Sequence, residues 1–181
     1  MLDAPENMVA EVVDGDLSLS PRPAPAHASA TMALSGELVP AFGRRGGGGP
    51  GGWLFLVEPE LHLGLQPHIL VPDLAAWRRE RLAAVSRKEA FIELPPDWIC
   101  EVLSPLTARL DRTRKLGVYA EFGVGHAWLI DPLARTLEVL RLEAGRWVLL
   151  GAHGGDARVR AEPFEALELG LAELWAFIAE E

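Results

Sequence analysis

The sequence predicts one mixed α/β domain of the α+β kind, and three observations predict it. Apolar runs of strand length recur and end at turn residues, as in His68-Ile69-Leu70-Val71-Pro72-Asp73 and Trp98-Ile99-Cys100-Glu101-Val102-Leu103-Ser104. Between such runs lie stretches of helical character, at Ala26 to Phe42 and at Ala108 to Phe122. Finally, 181 residues with 49% hydrophobic content suit one core, so residues 1–181 are read as a single domain.

Each element follows from its local pattern. Val9 to Val13 and Asp16 to Leu19 flank Asp14-Gly15, a dipeptide that favours a two-residue hairpin turn, so an antiparallel pair opens the chain. Pro21, Pro23 and Pro25 then stop the ladder. Ala30, Ala33, Leu34, Leu38 and Phe42 recur at intervals of three and four, which makes one face of the first helix apolar. Gly43 to Gly52 holds seven glycines in ten residues but lacks the spacing and the Lys-Ser or Lys-Thr pair of a phosphate loop, so it reads as a flexible connection.

Trp53 to Leu63 reads as one strand, with Glu58-Pro59 marking an edge or bulge, and His68 to Asp73 as the next. Leu74 to Ala84 reads as a short turn or helix. Asp97 to Ser104 is a strand that stops before Pro105, after which Thr107 caps a helix that ends at Gly123. His126 to Ile130 is a strand closed by Asp131-Pro132. Thr136 to Leu142 and Trp147 to Gly151 form a C-terminal hairpin turning near Ala144-Gly145. A short helix carries Leu171, Leu174, Trp175 and Ile178 on one face.

Composition excludes several classes. The apolar runs are far shorter than the roughly 20 residues that span a bilayer, and residues 1–11 lack the basic and apolar regions of a secretory signal. A cytoplasmic protein without a membrane partner is expected. The single cysteine, Cys100, excludes an internal disulfide and reads as a small core residue. A net charge of -9 argues against a protein that coats nucleic acid. Nine of the 17 basic residues nevertheless fall between Arg78 and Lys115, among them Arg78, Arg79, Arg112 and Arg114, and these four are the expected rim for a polyanion. A solvated face of mixed charge is the alternative.

Asp73, Glu101 and Lys115 carry the chemistry. Carboxylates sunk into apolar strands are costly to desolvate, so two of them near strand ends point to a cation or another functional partner. Two acids and a lysine suffice for metal-assisted phosphodiester hydrolysis. A hard cation such as Mg2+ (or Mn2+) takes oxygen ligands and is held by one or two carboxylates plus water. Asp73 and Glu101 are the expected ligands, and Lys115 would stabilise charge on the phosphate or orient the attacking water. Only two of the 17 basic residues, Lys88 and Lys115, are lysines, which gives the choice at 115 some meaning. A surface pair with Asp111 four residues earlier is the competing role for Lys115.

These residues sit within a wider resemblance. Glu11-Val12-Val13-Asp14-Gly15-Asp16-Leu17, Ser20-Pro21-Arg22-Pro23 with His27, and Val71-Pro72-Asp73-Leu74 resemble segments of the Uma-type bacterial family of the PD-(D/E)XK nuclease superfamily. So do Glu101-Val102-Leu103-Ser104-Pro105-Leu106-Thr107, Asp111 with Lys115, and Tyr119 through Ala127-Trp128-Leu129-Ile130-Asp131-Pro132. The resemblance implies a restriction-endonuclease-like core, a central mixed sheet flanked by helices, with Mg2+ at Asp73 and Glu101 and DNA as substrate. The superfamily lysine two residues after the second acid is replaced by Leu103, so Lys115 on the following helix stands in for it. The resemblance also makes Glu11 a candidate acidic ligand and His27 a candidate base or phosphate contact, against the plainer roles of a hairpin charge and a helix N-terminal residue. It favours a homodimer, for which Trp147 and Trp175 offer apolar surface. A nuclease fold kept as a noncatalytic binding or assembly module is the alternative.

Overall fold

In the computed structural model, residue 5 and residues 7–43, 50–84 and 88–177 are described. The chain opens with the expected hairpin, β1 (Met8–Val13) and β2 (Asp16–Pro21), turning through Asp14 at φ 53° and Gly15 at φ 80°. Helix α1 (Pro25–Leu38) follows and continues into a π-helical turn, Val39–Gly43. Proline at its start suits a position whose N–H has no helical partner.

The stretch read as one strand over Trp53 to Leu63 is two. Strand β3 (Trp53–Val57) and strand β4 (Leu61–Leu63) belong to different sheets, separated at Glu58, whose φ of 45° turns the chain before Pro59. Strand β5 (His68–Leu70) is shorter than expected, and Asp73 lies beyond it. Leu74 to Ala84 also departs from expectation: Leu74–Arg78 is strand β6, and only Arg79–Ala84 is helical, a 3-10 turn. Ala75 and Ala76 carry no strand signal, but β6 is paired on both sides, and that pairing overrides local propensity.

Strand β7 (Trp98–Val102) leads into helix α2 (Ala108–Leu110), a π-turn over Asp111–Lys115 and helix α3 (Leu116–Glu121). The side chain that ties the turn before α2 is Ser104, whose Oγ accepts from the Thr107 N–H, in place of the cap expected of Thr107. Strands β8 (His126–Asp131), β9 (Thr136–Glu143) and β10 (Arg146–Gly154) complete the main sheet. The small ladder of β11 (Arg158–Val159) and β12 (Leu169–Gly170) precedes a 3-10 turn, Leu171–Trp175; Ile178 lies outside the described residues, as does most of the glycine-rich connection.

Six strands in the order β10-β9-β8-β7-β6-β3 form a mixed sheet, parallel only between β7 and β8. A second sheet runs β2-β1-β5-β4. Both faces of the main sheet are covered, which explains why its central strands are apolar throughout. On β7, Trp98, Cys100 and Val102 join a core with α1, Phe42, Phe164 and Trp175. Ile99 and Leu103 face the other way, into a core with β4, β5, Val118 and Tyr119. Glu101 shares the parity of Ile99 and Leu103, so its side chain is directed at the α2–α3 segment. No helix among the described residues is long and apolar enough to cross a membrane. Trp175 is fully buried and Trp147 is half-buried with its indole N–H on the Leu116 carbonyl. Neither offers the free apolar surface expected of it.

Candidate active site

Strand register brings the acids together. The β6–β7 ladder pairs Leu74 with Cys100, so one step further Asp73 stands across from Glu101. The β3–β6 ladder pairs Val57 with Leu74, so Glu58 stands beside Asp73 on the other side, and its N–H donates to the Asp73 carbonyl at 3.1 Å. Three carboxylates thus occupy one end of three adjacent strands. The Asp73 carboxylate is held from two directions: the Val102 N–H donates to Oδ2 at 2.7 Å, and His27 Nε2 on α1 lies 2.5 Å from Oδ1.

Lys115 arrives from the opposite layer. Its Nζ lies 2.9 Å from Glu11 Oε1, 3.0 Å from Glu101 Oε1 and 3.3 Å from Asp111 Oδ1, and none of these side chains is more than 5% exposed. Lys115 therefore pairs with Asp111 and also reaches the strand acid, and the pair is buried where a surface role had competed. The π-turn makes this possible. The Leu116 N–H bonds to Asp111 O, and the widened turn directs both Asp111 and Lys115 into the protein. One turn later Tyr119 donates its hydroxyl to the same Glu101 Oε1 at 2.7 Å. Glu11, on β1, also accepts from the Val71 N–H at 2.8 Å, which ties the hairpin sheet to the segment entering Asp73.

Burial sets the protonation of the cluster. It pushes the Glu101 carboxyl well above its ordinary range; Lys115 opposes this, while Asp111, Asp73 and Glu11 reinforce it. Burial acts to lower the Lys115 pKa, but Glu101, Glu11, Tyr119 and Asp111 outweigh it and hold the ammonium well above the usual lysine pKa. Lys115 is a fixed positive charge, unsuited to accept a proton. Burial, then Asp73 and Glu101, likewise raise the Cys100 thiol, consistent with an inert core residue.

The cluster opens on a cavity of about 320 Å3 whose lining includes Glu11, His27, Asp73, Glu101 and Lys115. All five expected site residues are brought together there. The expected arginine rim is not. Arg78 lies at the far end of β6 from Asp73, stacked over Trp53 at 4.0 Å, and Arg79 bonds to the Gly43 carbonyl. Arg112 is paired with Glu138, and Arg114 is held by Asp14, Asp16 and the Val13 carbonyl. Clustering in sequence dispersed them because a strand separates its ends by about 3.3 Å per residue. Among the described residues, the guanidinium that does line the cavity is Arg22. Tyr119 was also not singled out for a role, although Asp111, Lys115 and Tyr119 follow one another at intervals of four, which signals one helix face.

Comparison with known proteins adds to this geometry. The Uma2 family, described as "Putative restriction endonuclease", matches residues 2–172. The chain belongs to this family. A solved structure described as "a putative nuclease belonging to DUF820" from Anabaena variabilis superposes with a TM-score of 0.74 at 22% identity, over 98% of this chain and 94% of the other. That likeness establishes a shared fold. No curated protein matches the chain in sequence. Family membership extends the Uma-type resemblance from local motifs to nearly the whole chain.

Proposed function

We propose that the chain is a divalent-cation-dependent endonuclease that hydrolyses DNA phosphodiester bonds in this cavity. The observation that carries the reading is the meeting of Asp73 and Glu101 at adjoining strand ends, with the Lys115 ammonium on Glu101 although it comes from a helix. The residues fit a hard cation such as Mg2+ or Mn2+. The donors are carboxylate oxygens, and among the described residues five carboxylates (Glu11, Glu58, Asp73, Glu101 and Asp111) line the cavity against two permanent cations, Arg22 and Lys115. Among the described residues no three His, Cys, Asp or Glu side chains are arranged so that together they could hold a metal ion, so the protein's share of a shell would come from fewer groups. A cation held by Asp73 and Glu101 would complete its shell with water and substrate oxygens, as Mg2+ commonly does.

Hydrolysis joins a water oxygen to phosphorus, breaks the bond to one bridging sugar oxygen and returns a proton to that oxygen. A cation held by Asp73 and Glu101 would, when bound, supply charge neutralisation and Lewis-acid activation for this change. The protein supplies position. The Val102 N–H and His27 fix the plane of the Asp73 carboxylate, and Tyr119 and Lys115 fix that of Glu101, so little reorganisation is left for the reaction. Lys115, locked as an ammonium, stabilises negative charge and leaves proton acceptance to another group. Glu11 acts here as the anchor of Lys115.

One observation favours the noncatalytic alternative: the ammonium is already engaged by three carboxylates. A cleavage assay on plasmid and oligonucleotide DNA with Mg2+ or Mn2+ separates the two. Native protein should cut, and Asp73→Ala and Glu101→Ala should each lose at least about a hundredfold in rate, the scale of removing one charge-stabilising group. Undiminished cutting by Asp73→Ala would refute the site assignment.

A further inference from the structure

We propose that the substrate enters as an unpaired DNA strand, with Arg22 taking a phosphate at the cavity mouth and Leu106 packing against the adjoining nucleotide; this rests on the nuclease reading above and names its substrate class. Four of the five cavity carboxylates are recessed, and Glu58, 35% exposed, stands nearer the mouth. The Asp73 side chain is 13% exposed and those of Glu101, Glu11 and Asp111 are 5% or less. The cavity above them, about 320 Å3, lies at the lower end of the range for small-ligand pockets. A stacked, paired nucleotide cannot follow its phosphate into such a space. Enzymes that act on a base meet the same steric demand by taking single strands or by extruding the nucleotide.

Two short segments frame the mouth. One is Pro21-Arg22-Pro23, which runs from the last residue of β2 toward α1; the other is the turn from Ser104 to Thr107, between β7 and α2. The flanking prolines limit the backbone freedom of the strap that presents Arg22. Its side chain is 59% exposed, and its ion-pair partner, Glu58 Oε2, is 3.8 Å away, beyond hydrogen-bond range. The arginines expected to form the rim, by contrast, are committed to carboxylates, carbonyls or a tryptophan ring. Arg22 is therefore poised to exchange a loose carboxylate for a phosphate, which its planar fork can bind through two hydrogen bonds. Across the mouth, Leu106 is 75% exposed and offers apolar contact to a sugar or base.

Charge selects in the same direction. A duplex binder neutralises many phosphates along a basic surface. Here the cavity carries an excess of carboxylates and the chain a net charge of -9. One guanidinium with an apolar neighbour matches the simpler demand of an unpaired strand, whose bases offer surfaces that a duplex conceals.

The test uses the full chain in EDTA, where cleavage cannot intervene, and measures fluorescence anisotropy of one labelled oligodeoxynucleotide, unpaired or annealed to its complement. The unpaired form should bind about tenfold tighter or better. Arg22→Glu should erase most of that affinity and reduce the salt slope by about one, whereas Arg22→Lys should retain part of it. Leu106→Ala should weaken binding with no change in salt slope, and Arg146→Glu, on an exposed position of β10, should match the native chain. Equal or tighter binding of the duplex, no measurable binding of either form, or an Arg22→Glu variant that binds like Arg146→Glu overturns the proposal. Plasmid cleavage by native protein alongside any of those results would leave the nuclease reading standing. Arg22-dependent binding without cleavage under any cation would remove catalysis and leave this inference intact.

Discussion

Replacing Lys115 with methionine removes the charge that three buried carboxylates share. At 2.9, 3.0 and 3.3 Å, each attraction is worth about 5–6 kcal/mol at an effective dielectric constant of about 20. The net loss is smaller. The lysine's own desolvation cost disappears, and Glu101 and Asp111, whose carboxyls burial already raises, can hold a proton in place of a charge. Removing one partner of a buried ion pair typically costs about 3–5 kcal/mol. At about 2–4 °C per kcal/mol for a chain of this length, Lys115→Met should melt roughly 6–20 °C below the native protein near neutral pH. The deficit depends on pH. Glu101 is already raised by burial, and loss of Lys115 removes the influence that opposes the shift. A carboxyl with a raised folded-state pKa keeps its proton where the unfolded chain has released it, so stability falls as pH rises above the ordinary glutamate range, up to the raised value. The gap to native should therefore be smallest at the acid end of the stable range and widen as pH rises. Scanning calorimetry across this range reads it directly, and Mn2+ should recover more stability in the variant than in the native chain. A melting temperature within about 2 °C of native at every pH would show that Lys115 does not balance the cluster.

Two further substitutions probe the same site. Tyr119→Phe deletes the 2.7 Å hydrogen bond to Glu101 and keeps the ring; a cost of about 1–3 kcal/mol and a Mn2+ affinity lowered by about tenfold in calorimetric titration are expected, whereas unchanged affinity would reduce Tyr119 to a packing role. Glu58→Gly relieves the φ of 45°, worth about 1–2 kcal/mol, against a backbone-entropy cost of about 0.5–1 kcal/mol, so thermal stability should hold or rise slightly. Because that change also frees Arg22 from its carboxylate partner, the variant should bind an unpaired oligonucleotide more tightly; equal affinity would show that the Arg22–Glu58 pair does not compete with phosphate.

Much of this architecture was legible before folding. Asp14-Gly15 marked the first hairpin, and apolar strands ending at Ser104-Pro105 and Asp131-Pro132 marked the centre of the sheet, because turn chemistry and strand stops act over a few residues. Asp73 and Glu101 stood out because a carboxylate in an apolar run has to be compensated. Leu74–Arg78 escaped notice as a strand, since its identity comes from pairing with β3 and β7 and its own side chains say little. The arginine rim failed for a related reason: Arg78 follows Asp73 by five residues, yet a strand carried it to the opposite end of the sheet.

The sequence by itself determined the kinds of groups available: two acids at strand ends, a rare lysine on a helix, a histidine after a proline-rich strap, and an acid at the first hairpin. Only the tertiary structure decided which of them meet. Strand register set Asp73 across from Glu101, the π-turn carried Lys115 inward to Glu101 and Glu11, and the strap left Arg22 at the mouth while other arginines were consumed elsewhere. The physical reason is that the residue types are local, whereas convergence depends on hydrogen-bond register and burial between segments that are distant in the chain.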